Sequence, residues 1–326
     1  KFSSEVCTSG YDLLKDKIAE RKEKLVDLGY DYFRNEPNIK ESEGSLRDIN
    51  LIFWAQKIFT ISKRRQTSKL LSRNEKKKLS ESLEFLLLVR CLLHYEARRS
   101  CDKLTFDFQH QISKIIFSRK TKNKGSQNSV EKMMRNYFFQ IRKTKNLAQI
   151  IVRLIKENFE QNTNITSPKK INLDKIFSKF LENLIRNENS VQEERLMFEF
   201  SSRIKSNACI QKKNISYFKE IFFSEKMNKI FLLNDLGILQ KIIPEFSKIL
   251  DLPQFDRYHS LTVGQHTLRA LNILKDLKNK KLRSNTYKFV YKILKKNEDL
   301  KPLYYSTLLH DIGKGSGDDH SKVGSR

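Results

Sequence analysis

Glycine and proline are scarce in this chain, with ten Gly and five Pro among 326 residues. So few turn-formers exclude the closely spaced reversals that a β-sandwich or barrel needs. No stretch of useful length alternates apolar and polar residues, and no internal repeat is present. Only four cysteines occur, Cys7, Cys91, Cys101 and Cys209, and none form a CxxC pair. That excludes a zinc knuckle and a disulfide framework, and it fits a reduced, cytoplasmic setting. No signal peptide is visible. The longest apolar run, Phe85 to Val89, is far shorter than the ~20 residues that cross a bilayer, so no membrane role is expected. Negative charge is also in deficit: 64 Lys and Arg face 38 Asp and Glu, a formal +26. Such an excess would attract a polyanion. However, the lysines are spread through the whole chain, and no zinc finger, recognition-helix pattern or basic-aromatic signature accompanies them. Nucleic acid is therefore not the expected partner.

Leu, Ile, Lys and Glu dominate what remains, a helix-forming composition. Helical apolar spacing is read over 11–29, 49–61, 172–187, 191–205 and 215–232, and over 80–99 as a buried helix. Val130, Met134, Tyr137 and Ile141 step by four, three and four along one face of a long helix that continues through Ile151 and Leu154. Met133 and Met134 read as core filler. Glu36 to Asp48, with Pro37 and Gly44, reads as a loop, as does 119–129. Residues 158–170 read as a linker. The fold class expected is all-α: a bundle-like region over 1–157, a linker and helical connection over 158–210, and a second helical domain over 211–326.

The residues with chemical promise cluster in the last 70 positions, which hold His259, His266, His310 and His320. A His-Asp pair alone means little. His310-Asp311, however, ends an apolar helical stretch, is followed by Ile312-Gly313-Lys314-Gly315, and is joined by Asp318, Asp319 and His320. Upstream, His266 lies on a helix that also carries Leu268, Leu271 and Leu274. A buried imidazole needs a partner. Imidazole with carboxylate suits a divalent metal, which lowers the pKa of bound water and neutralises phosphoryl charge. Lys314 is placed to contact a phosphate. The same residues also allow a bland arrangement: His310 ending a helix, Asp311 paired with a lysine, and a glycine-rich loop.

His266 followed by His310-Asp311 resembles the HD superfamily of metal-dependent phosphohydrolases. Longer strings resemble one family, the bacterial protein-PII uridylyltransferase/uridylyl-removing enzymes. These are TVGQHTLRALNIL (262–274), LLHDIGKGSGDDHSKVG (308–324) and MNKIFLLNDLGILQKIIPEFSKI (227–249). EPNIKESEGSLRDINLIFW (36–54), KLTFDFQHQIS (103–113) and VEKMMRNYFFQIRK (130–143) match the same family in order. The family's Gly-Gly-Leu-Arg-Asp signature is altered here, since Ser45 follows Gly44 in place of the second glycine.

The resemblance implies a piece of a bifunctional enzyme that adds UMP to the PII signal protein and hydrolyses it off again, with UTP and UMP as its nucleotides. It implies a helical middle region and the first part of an HD domain whose last metal-ligating Asp lies beyond Arg326. A transferase domain upstream and glutamine-sensing ACT domains downstream are implied as well. Carried over residue by residue, His266, His310 and Asp311 are expected metal ligands, with Mg or Mn the expected ion. His310, Asp311 and Lys314 carry catalysis. Lys314, His320 and His259 contact substrate, and His320 is also a candidate ligand of a second metal. His259 reads equally as a helix-start residue. Glu36, Asn38, Arg47 and Asp48 either brace the transferase domain or surround a capped helix start. This piece alone is expected to be nearly inactive. The alternative is a non-catalytic helical scaffold with a degenerate HD motif.

Overall fold

The computed structural model describes residues 2–27, 34–62, 70–117, 126–161, 173–201, 204, 211–225, 227–255, 261–279, 285–297, 299–314 and 320–325. It is all-α, as the composition requires. An isolated antiparallel bridge pairs Asn38 with Lys103, and no strand is present among the described residues. No helix among them is long and apolar enough to cross a membrane. The chain forms two compact units, one of residues 1–171, 190–199 and 255–260, the other of 172–189, 200–254 and 261–326.

The first unit contains α1 (Phe2–Asp27), α2 (Leu46–Ser62), α3 (Arg73–Ala97), α4 (Phe106–Phe117), α5 (Ser126–Gln161) and most of α7 (Val191–Phe200). The 36-residue α5 is its axis, packing against α2, α3 and α4. Val130, Met133, Met134, Tyr137 and Ile141 are all buried, the face expected from their spacing. Helix α5 runs on to Gln161, past the expected boundary at 157. Helix α3 differs from its reading as a wholly buried helix. Leu79, Leu86, Val89 and Leu93 form one buried stripe, whereas Leu87 and Leu88 are 42% and 49% exposed. A helix covered on one side buries only the residues three and four apart, however apolar its run.

The loop before α2 is set by one aspartate and one glycine. Asp48, in the first turn of α2, accepts hydrogen bonds from Arg21 Nε at 2.7 Å and from the Gly44 amide. The remaining guanidinium nitrogens of Arg21 donate to the carbonyls of Glu41 and Ser42. Gly44 has φ +80°, and a Cβ there would lie 2.1 Å from the Ile141 carbonyl oxygen. Only glycine fits. Ser45 is fully buried, its Oγ 3.4 Å from both the Asn38 carbonyl and the Tyr137 hydroxyl. The altered signature thus keeps its glycine at the position that demands one.

The second unit holds α6 (Leu173–Arg186), α8 (Lys212–Phe223), α9 (Met227–Asp235), α10 (Leu239–Ile242), α11 (Phe246–Leu250), α12 (Val263–Lys278), α13 (Asn285–Lys296), α14 (Lys301–Leu309) and α15 (His320–Gly324). The single helix expected over 215–232 is two. Ser224 takes extended backbone, φ −61° and ψ 155°, and ends α8. Its amide still reaches back to the Glu220 carbonyl, and its Oγ donates to Ile221.

Gly44→Ala should therefore lower stability by about 2 kcal/mol or more, since strain at positive φ is joined by a backbone clash. Ser45→Gly, which restores the family's residue, should cost less than about 1 kcal/mol, because both of its hydroxyl contacts are long. Urea unfolding of the two variants checks this, and equal losses would contradict it.

Candidate metal centre

The site forms where the start of α12 meets the end of α14, two helices that pack on each other. The start of α12 is fixed by three contacts to the chain at 250–252. Thr262 Oγ1 donates to the Leu250 carbonyl at 3.0 Å. The Val263 amide donates to the Leu252 carbonyl at 3.0 Å. Gly264 lies so close to Leu250 that an added Cβ would sit 2.5 Å from its Cα. His266 follows two residues later, half-buried.

Helix α14 begins with Pro302 in its first turn, where its missing N–H costs nothing, and ends at His310. The chain then turns tightly, with the Ile312 amide on the Leu309 carbonyl and the Lys314 amide on the Asp311 carbonyl, both at 3.0 Å. That turn points His310 and Asp311 at His266. One ligand atom from each of the three lies within 4.8 Å of the other two. The imidazoles of His266 and His310 meet edge to face, centroids 5.7 Å apart. Asp311 is buried and His310 is 40% exposed at its side chain, so the cluster opens on one side.

His310 Nδ1 lies 2.9 Å from the Thr307 carbonyl. A carbonyl can only accept, so Nδ1 carries the proton and Nε2 offers its lone pair when the ring is neutral. Nε2 faces Asp311 Oδ2 at 3.3 Å. Metal-ligating histidines are commonly held in this way by a backbone carbonyl. Lys314 Nζ lies 2.9 Å from the same Oδ2. The cluster therefore already contains a cation at its carboxylate. Two imidazoles and one carboxylate within reach of one point, open on one side, fit a divalent ion. The bland arrangement is present too, with His310 ending its helix and Asp311 paired with Lys314, and it coexists with the cluster.

Three of the expected ligands, His266, His310 and Asp311, are thus brought together, with Lys314 beside them. His259 and the side chain of His320 lie outside the described residues. The loop residues Glu36, Asn38 and Asp48 serve local structure: Glu36 accepts from the Phe106 amide, and Asn38 from the amides of Lys40 and Glu41. Thr262, Gly264 and Thr307 support the site and carried no signal of their own, because each works through a backbone contact invisible until the helices pack.

The GlnD PII-uridylyltransferase profile matches residues 12–152. A bifunctional uridylyltransferase/uridylyl-removing enzyme from Rhodospirillum rubrum is 29% identical over an alignment that takes in 100% of this chain and 38% of the relative. The chain is thus similar to that family over less than half of its own length. It spans well under half the length of that relative. The profile covers α2 to α4 and most of α5, so the histidine cluster is reached by the relative's alignment and not by the profile. No solved structure matches the chain.

Gly264→Ala should loosen the start of α12 and weaken divalent-ion binding along with stability. Calorimetric titration with Mn²⁺ beside thermal melting would show both losses. Unchanged binding and melting would mean that the contact with Leu250 gives way freely.

Proposed function

We propose that the chain is the helical middle region and the beginning of the HD domain of a bifunctional uridylyltransferase/uridylyl-removing enzyme, and that its histidine cluster serves the uridylyl-removing reaction. The observation that carries this is the convergence of His266, His310 and Asp311 in a chain aligned throughout to an enzyme of that name.

The reaction is hydrolysis of the phosphodiester between UMP and a tyrosine of the PII protein. Water attacks phosphorus, the bond to the tyrosine oxygen breaks, the phenolate takes up a proton, and UMP leaves. A bound Mg²⁺ or Mn²⁺ would supply an activated water and positive charge against the phosphoryl oxygens. His266, His310 through Nε2, and Asp311 would hold that ion. Thr307 keeps the His310 ring in the tautomer that leaves Nε2 available. Lys314, relieved of Asp311 by the ion, would turn to a phosphate oxygen. His320 and His259 are proposed substrate contacts, with His320 also a candidate for a second ion. In the whole enzyme, UTP would serve the transferase domain and glutamine would act through ACT domains, in the cytoplasm.

The Lys314–Asp311 ion pair favours a second reading, a scaffold in which the ammonium takes the place of a metal. The two readings separate in the full-length enzyme. There His310→Ala and Asp311→Ala should each cut UMP release from uridylylated PII by ~10³-fold or more and leave uridylylation intact. Lys314→Ala should cost ~10- to 100-fold. EDTA should abolish release, and Mn²⁺ should restore it. Full removing activity in Asp311→Ala would overturn the assignment and leave the scaffold.

A further inference from the structure

Lys275 is a buried lysine, 2% exposed, nine residues beyond His266 on α12. Its ammonium donates to the carbonyls of Phe222 and Ser224, each at 2.6 Å. These carbonyls are at the end of α8, where the break at Ser224 takes away their helical partners. An ammonium there satisfies both oxygens and meets the negative end of the helix dipole. The same ammonium lies 5.8 Å from the Phe222 ring centroid and 5.7 Å from that of Tyr304. Tyr304 and Tyr305 belong to α14, and they pack with Phe222 and Phe223 at centroid separations of 5.3–6.4 Å.

Helices α12 and α14 therefore share a seam with two contacts along it. At one end His266 meets His310. At the other Lys275 meets Tyr304 and ties both helices to the end of α8. From His266 to Lys275 the rise is ~13 Å, and from Tyr304 to His310 it is ~9 Å. The helices run antiparallel, so a change at the lysine end alters how the histidine end closes. We propose that Lys275 is a positioning residue for the His266–His310–Asp311 site, setting the spacing of its two helices through the end of α8. This rests on the metal-binding reading above.

Among the described residues, no carboxylate bonded to this lysine offsets its burial. Desolvation, with the Lys278 ammonium adding to it, pushes its pKa down from 10.5 to about 8. The other groups bearing on this end of the seam are the Tyr304 hydroxyl, pushed up by burial and by Glu225, and Lys301 over the Phe223 ring. The folded state thus penalises the ammonium relative to the unfolded chain, yet below about pH 8 the ammonium is still the major form. In sign, this group makes the fold more stable as pH rises from about 8 toward 10.5. Its charge-assisted hold on the two carbonyls is complete only below about pH 8.

Lys275→Met removes both donors at nearly constant length, and Lys275→Arg keeps them. With Mn²⁺ as the probe, at a temperature well below melting and with helicity intact, the methionine variant should bind at least tenfold more weakly than wild type. The arginine variant should recover to within threefold. A methionine variant that melts earlier and binds Mn²⁺ within twofold of wild type would make Lys275 structural only and overturn the proposal. If wild type itself binds no Mn²⁺ while folded, the metal reading fails first.

Should the methionine variant not fold, wild type decides by reciprocity. The titration of the Lys275 ammonium, followed by ¹⁵N NMR and assigned by its loss in Lys275→Arg, should move to higher pH when Mg²⁺ saturates the site. Through-space repulsion between the two cations would move it lower. An unchanged or lower midpoint would overturn the proposal.

Discussion

The first turn of α12 touches the chain at Leu250 with no room for a single extra carbon, and the candidate metal centre depends on that contact. Gly264 allows the approach, Thr262 and Val263 hold it with two hydrogen bonds, and His266 is carried to its place as a result. A histidine on a helix is free to face many directions. This one is aimed because the backbone beneath it cannot shift. The opposite wall is built differently. Helix α14 delivers His310 as the residue that caps its C-terminal end, and the turn that follows folds Asp311 back beside it. Forty-four positions of sequence separate the two histidines, and a packing contact at each end of a shared seam removes that distance.

The cluster as it stands holds an ion pair beside two imidazoles. Without a metal, Lys314 neutralises the buried Asp311 carboxylate, so no uncompensated charge is left in the interior. In the proposed reading, a divalent ion would give the same carboxylate a stronger partner and would free the lysine toward the open side, where a phosphate would arrive. The ion pair also serves folding, because an unpaired buried carboxylate would oppose it.

The all-α fold was legible in composition, since few glycines and prolines and no alternating segments leave helices as the only regular structure. The long α5 was legible from four apolar positions, and all four are buried. The buried stripe of α3 was harder to read, because its run of leucines conceals which ones face inward. The break at Ser224 was hidden by apolar residues on both sides, and it becomes intelligible only with Lys275 in place to receive the freed carbonyls. Lys275 itself was unreadable in a chain carrying 64 basic residues, where one more lysine on a helix resembles a solvated charge. His310 and Asp311 were legible through their glycine-rich surroundings, and their union with His266 through resemblance. The supporting carbonyl of Thr307 and the approach at Gly264 belong to the backbone, which sequence describes least.

The most direct test of the site is a crystal of the protein grown with Mn²⁺ and measured for anomalous scattering. An anomalous peak with one ligand atom each of His266, His310 and Asp311 at about 2.0–2.2 Å, and with Lys314 Nζ displaced from Asp311, is the predicted result. A fully ordered cluster with Lys314 still bonded to Asp311 and no peak at saturating Mn²⁺ would contradict it.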